Sequence, residues 1–127
     1  MKKTVIPTPH APPAKGPYSS AVACGDLLFL AGQGPVDPQS GQIVRGTLEE
    51  QMHLTFTNVR NILADAGSSL DKVVKVTLYL KDIGSFARAN EVYRGYFTSD
   101  YPARTCVQAD ALPFDIEVEI DVIACRS

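Results

Sequence analysis

The sequence predicts an α+β sandwich, a mixed β-sheet with two helices on one face. Three observations predict it. Residues 116–124 alternate, with Ile116, Val118, Ile120 and Val122 on one side and Glu117, Glu119 and Asp121 on the other. A period of two with one apolar side is a strand packed on one face. Met52, Phe56, Val59 and Leu63 recur at spacings of four, three and four, the apolar stripe of a helix. Phe86, Asn90, Tyr93 and Phe97 repeat that spacing and predict a second helix over 85–97. Strands, helix, strand, helix and strands in that order make a sheet with helices layered on it.

Each element has its own local signals. Residues 1–17 hold five of the nine prolines, and proline has no N–H for a ladder, so they read as an extended N-terminal arm. Strand signals begin at Ala21, and the apolar run Leu27–Ala31 follows the turn-like Gly25-Asp26. Asp37–Gly41 is rich in turn formers, which makes Ile43-Val44 a candidate return strand of a hairpin. Thr47 followed by Glu50 is a capping box opening the first helix, and Gly67 suits its C′ position. In 72–80, Val74, Val76, Leu78 and Leu80 share one face of a strand, and Val73, Lys75, Thr77 and Tyr79 the other. Tyr101-Pro102 breaks the second helix pattern before a strand over Arg104–Ala109. The 127 residues show no internal repeat and no linker and read as one domain, 1–127.

Composition narrows the function classes. Hydrophobic residues at 45% and charged residues at 20% are ordinary for a soluble globular domain. A formal net charge of −2 argues against nucleic acid or an anionic membrane as a partner. Cys24, Cys106 and Cys125 form neither a C-x-x-C pair nor a zinc spacing and read as free thiols in a reducing cytoplasm. The opening MKKTVIPTPH lacks the apolar run of a signal peptide, and no 18-residue apolar stretch spans a membrane.

The candidate chemistry centres on two residues. Arg104 opens an otherwise small or apolar strand, where a guanidinium is either an ion-pair partner or a clamp whose planar fork fits a carboxylate. Glu119 sits mid-strand between other acids, as a solvated carboxylate or a working one. Cys106 shares a strand face with Arg104; it reads as a buried inert thiol, the alternative being a thiol whose pKa the nearby arginine lowers. Tyr18 follows Gly16-Pro17 and reads singly as a turn residue. Gly32-Gln33-Gly34 lacks the third glycine of a dinucleotide loop. His10 and His53 are far apart in sequence, and a Cys–His nucleophile pair is disfavoured.

The segments GPYSSA (16–21), AGQGPVDPQSG (31–41), NEVYRGYF (90–97), YPARTCV (101–107) and ALPFDIEVEIDVIA (111–124) together resemble the RidA (reactive intermediate deaminase, YjgF) family over nearly the whole chain. The resemblance implies a chorismate-mutase-like fold and a homotrimer. In such a trimer a central barrel of sheets lies inside a layer of helices, and active sites lie between subunits. It implies hydrolysis of 2-aminoacrylate-type enamines and 2-imino acids to 2-keto acids and ammonia. No cofactor and no metal are implied, and the function is linked to pyridoxal-phosphate enzymes that release such intermediates. Carried over, the family's carboxylate-binding arginine is Arg104 and its water-positioning glutamate is Glu119. Tyr18, Ala31, Gly32, Asn90 and Cys106 match the other cleft positions.

Departures from the family pattern bear on the substrate. Where many relatives read S-G-Q-I-P, this chain has Ala31-Gly32-Gln33-Gly34-Pro35. A hydroxyl is lost at Ala31, and Gly34 is expected to leave more space than a branched residue. Phe114 stands where a lysine is common. A larger or more apolar imino acid, or a pathway-specific deamination, fits these changes. Two other functions compete: a non-catalytic trimeric binder of small carboxylates, and a ribonuclease or translation inhibitor, which the net charge disfavours.

Overall fold

A computed structural model describes residues 1–127. Eight elements follow in chain order: β1 (Lys3–Val5), β2 (Ala21–Cys24), β3 (Leu27–Leu30), α1 (Leu48–Asp65), β4 (Val73–Leu80), α2 (Phe86–Arg94), β5 (Ala103–Gln108) and β6 (Val118–Cys125). The sheet is mixed, in the order β1-β2-β3-β6-β4-β5, with β4 and β5 parallel and every other pair antiparallel. A parallel pair needs a long crossover, and α2 supplies it between β4 and β5.

The capping box closes as expected: Glu50 N–H donates to Thr47 Oγ1, and Thr47 N–H donates to Glu50 Oε1. Gly67 has φ +78°. Ser68 N–H reaches Leu63 O at 2.8 Å and Gly67 N–H reaches Ala64 O at 3.0 Å, a Schellman ending that satisfies the last carbonyls of α1. Met52, Phe56, Val59 and Leu63 are fully buried in one cluster with Val76, Leu78, Leu80, Val118, Ile120 and Val122. Both helices therefore cover the same sheet face. Phe56 is the hub of α1 against α2, stacked on Tyr96 at 4.2 Å and edge-on to Tyr93 and Phe97.

Several sequence expectations change. The arm begins with a strand, because Lys3–Val5 pairs with β2 before the first proline removes a donor. Ile43 makes only an isolated bridge to Val36, so the 36–43 turn is hairpin-like but carries no return strand. A register shift between Val73 and Lys75 reverses the expected facing at the start of β4. Val73 is buried and Val74 exposed, although Val76, Leu78 and Leu80 face the core as expected. The second helix ends at Arg94, and its buried side is Ala89, Val92 and Tyr93. Phe86 is exposed, so it and Asn90 lie on the flank of that stripe.

Candidate active site

The polar residues singled out in the sequence fall into two groups. The first surrounds Glu119. Phe29 opposes Ile123 of β6, yet Gln33 opposes Ile120, so one extra residue is accommodated between Phe29 and Gln33. Such a bulge re-aims the backbone at a strand end. Here it presses Gly32 against Glu119: a Cβ on Gly32 would lie 2.3 Å from Glu119 Oε2. The φ of Gly32 is not in the left-handed region, so what requires glycine there is room for the carboxylate.

A cavity of about 370 Å³ opens beside this contact, lined by Glu119, Ala31, Gly32 and Gly34, by Pro12, Pro13, Lys15 and Tyr18 of the arm, and by Phe114 and Ile116. Lys15 N–H donates to the Tyr18 hydroxyl at 3.1 Å, which leaves the phenolic proton free to donate. No group of the chain hydrogen-bonds the Glu119 carboxylate. Burial, with a smaller push from Asp121, raises its pKa above the ordinary carboxylate value.

The second group surrounds Arg104. The Arg104 guanidinium lies 4.7 Å from the centre of the Tyr93 ring and 5.5 Å from that of Phe86. Arg88 pairs with Glu49 and Arg94 with Glu91, but none of the chain's ion pairs involves Arg104. Two aromatic rings thus hold a cation whose hydrogen-bonding fork is unused. A shallow pocket of about 330 Å³ joins it to Asn90, Tyr93, Arg94, Tyr101 and Pro102. Burial pushes the Tyr93 phenol up to about 12 against the opposing effect of Arg104, so it stays protonated. Burial likewise outweighs Arg104 at Cys106 and raises its thiol. Arg104 does act to lower it, but desolvation is the larger effect, which favours the inert thiol over the activated one.

These two groups do not meet within one chain. Arg104 opposes Val76 of β4, whose side chain is in the core, so Arg104 and Cys106 point to the helix-covered face. Glu119 opposes Tyr79, one step out of phase, and points to the other face. Tyr18, Ala31 and Gly32 lie with Glu119; Asn90 and Cys106 lie with Arg104. The face bearing Glu119 also exposes Leu27, Phe29 and Val107, and no helix of the chain covers it.

Several participants escaped the sequence reading. Lys15, Tyr93 and Phe86 were assigned to the arm or to the apolar stripe. Gln51 and Asn58 are buried polar residues on α1 that hold the site's loops. Gln51 Oε1 accepts from Glu117 N–H at 2.9 Å, and Asn58 Nδ2 donates to Gly34 O and Val36 O. Their signal was visible: Gln51, Thr55 and Asn58, at spacings of four and three, interrupt a buried helix face. Gly34 does not leave open space as expected, because Ile116 Cδ1 lies 2.7 Å from where its Cβ would be. His10 pairs with Asp65 and His53 with Tyr96, so neither activates a cysteine. No group of three or more His, Cys, Asp or Glu side chains is placed to hold a metal ion.

The chain is thus a six-stranded α+β sheet with a desolvated carboxylate beside a cavity and an aromatic-held arginine on the opposite face. The family profile described as Endoribonuclease L-PSP matches residues 8–126. A RutC family protein of Pyrococcus abyssi is 48% identical over 126 residues, covering 99% of each chain. TdcF of Escherichia coli K12, classed provisionally as a reactive intermediate deaminase, is 42% identical over 130 residues, covering 100% of this chain and 99% of its own. The crystal structure of Escherichia coli TdcF with bound serine superposes with a TM-score of 0.90 at 41% identity, covering 98% of this chain and 99% of that one. Yeast Mmf1 gives 0.94 at 39% identity, covering 99% and 100%. The chain belongs to this family, the RidA/YjgF family of its sequence motifs.

Proposed function

We propose that this chain hydrolyses 2-imino acids and their enamine tautomers, of the 2-aminoacrylate type, to 2-keto acids and ammonia. The observation that carries the reading is the unpaired Arg104 fork, held between Tyr93 and Phe86 where an anionic ligand can reach it. The provisional deaminase class of TdcF and the serine bound in its crystal structure support a small amino-acid-like substrate. Arg104 and Glu119 point to opposite faces of one chain, so one copy supplies Arg104, Asn90 and Cys106 and a second supplies Glu119, Gly32, Ala31 and Tyr18. The exposed Leu27, Phe29 and Val107 beside Glu119 support burial of that face in a homotrimer.

The chemistry needs no cofactor. Arg104 fixes the substrate carboxylate through a bidentate, charge-assisted pair. The enamine first tautomerises to the imine. Glu119 takes a proton from water as the oxygen bonds to the imine carbon, and the C=N pair moves to nitrogen. Glu119 returns that proton to the nitrogen, giving the carbinolamine; it then takes the hydroxyl proton as the C=O bond forms and the C–N bond breaks, and passes it to the departing nitrogen, giving keto acid and ammonia. A carboxylate whose pKa is raised by burial is a better base near neutrality than an ordinary one. The three free cysteines and the absence of any helix long and apolar enough to cross a membrane suit a reducing cytoplasm, where pyridoxal-phosphate enzymes release such intermediates.

Adding the protein to a dehydratase reaction that releases 2-aminoacrylate tests this. Faster keto-acid formation, lost in Arg104→Ala, supports it, and no acceleration with any imino acid overturns it. A carboxylate binder without turnover is distinguished by Glu119→Gln, which leaves its affinity intact. The family description favours a second reading as an endoribonuclease, which RNA cleavage abolished by a Glu119 substitution would support.

A further inference from the structure

The turn that carries Phe114 is built at a conformational cost. Phe114 has φ 65° and Asp115 φ 55°, two successive non-glycine residues in the left-handed region. The surrounding chain holds that backbone in place. Arg45 Nη2 donates to Phe114 O at 2.8 Å, Arg45 Nη1 donates to Asp115 O at 3.2 Å, and Lys81 pairs with Asp115 at 2.7 Å. These contacts fix the main chain and leave the ring free, and the Phe114 side chain remains half exposed beside the Glu119 cavity.

We infer that Phe114 sets the substrate range of this site, forming an apolar wall that selects 2-imino acids with branched or aromatic side chains over that of alanine. The inference rests on the hydrolase reading above and adds the side-chain class. Inside the ring, Val36, Ile43, Pro113 and Ile116 continue the apolar lining. The one cation of the lining, Lys15, is engaged: its Nζ donates to Gly41 O at 2.8 Å and lies 5.5 Å from the Phe114 ring centre. A substrate with a second carboxylate would have to displace those contacts and approach the negative Glu119. An apolar side chain gains contact with the ring and displaces nothing.

The test compares kcat/KM for the imines of alanine, leucine, phenylalanine and glutamate, generated in place by amino-acid oxidases and read as keto acid. The wild type is expected to favour the leucine imine over the alanine imine by about tenfold or more, the scale of a few methylenes in an apolar pocket. Phe114→Ala is expected to collapse that ratio to within about threefold, and Phe114→Tyr, which keeps the ring, to preserve it. An unchanged ratio in Phe114→Ala overturns the inference. So does a wild-type preference for the alanine or glutamate imine. Binding of pyruvate and 4-methyl-2-oxopentanoate by calorimetry separates the two ideas. If no imine is turned over but the branched keto acid binds more tightly in a Phe114-dependent way, the wall stands and the hydrolase reading falls. If imines are turned over without side-chain preference, the reverse holds.

Discussion

Replacing Gly32 with alanine isolates the placement of Glu119 from the stability of the fold. The added Cβ would lie 2.3 Å from Glu119 Oε2 and 2.9 Å from Cδ. Ordinary contact requires the carboxylate to retreat by about 1 Å, a displacement that costs on the order of a hundredfold in rate when a reacting group depends on its position. The backbone raises no objection, since φ at Gly32 is not left-handed. Alanine also narrows the unfolded ensemble, so stability should hold or rise by up to about 1 kcal/mol. The assay pairs kcat/KM for imine hydrolysis with a thermal melt of the same sample. The expected result is a fall of about a hundredfold in kcat/KM with an unshifted or slightly raised Tm. Activity within twofold of wild type would refute the argument that the carboxylate's position governs turnover.

Arg104→Lys keeps the charge but loses the fork, and kcat/KM should fall by about ten- to a hundredfold, as for the loss of one charge-assisted hydrogen bond; steady-state kinetics showing equal activity would exclude bidentate binding. Glu119→Gln should reduce kcat by about a hundredfold or more, read from initial rates. The same substitution has a pH signature. The folded-state pKa of Glu119 is raised, so its contribution favours folding below the unfolded value near 4.5 and is lost as pH rises through the folded value. Glu119→Gln should therefore melt at the wild-type temperature near pH 4 and above it at pH 8. A difference that is constant with pH would contradict the burial of that charge. Phe56→Ala should cost about 3–5 kcal/mol in chemical denaturation, because Phe56 is fully buried among three aromatic rings; a loss below about 1 kcal/mol would show that the helix interface collapses onto the gap.

Periodicity made α1, β6 and most of β4 legible, because each buries a single face and the pattern of apolar residues records it. It failed where a local irregularity shifts the phase. The bulge at Val73–Lys75 turns Val74 outward, and nothing in VVKV announces it. The strand Lys3–Val5 is short, polar and at a sheet edge, so its pairing leaves no hydrophobic signal. The site was legible only through the family motifs, since an arginine and a glutamate on separate strands have no common period. Even then the motifs did not show that the two side chains face opposite ways, which follows from the register of β4 with β5 and β6. Lys15 and the left-handed Phe114 were hidden because their roles depend on contacts 26 and 69 residues away in sequence.

The division of the site between two copies is tested most directly by mixing two defective chains. Arg104→Ala and Glu119→Gln, each inactive alone, are co-expressed with different tags and purified as mixed oligomers. In any trimer that holds both variants, a site that draws Arg104 from one chain and Glu119 from its neighbour recovers both residues at one of the three positions, about a third of the sites. Mixed oligomers should then show about a third of wild-type 2-imino acid hydrolysis, whereas each variant purified separately shows about a hundredth or less. Mixed oligomers as inactive as their parents would contradict a site completed by a second copy.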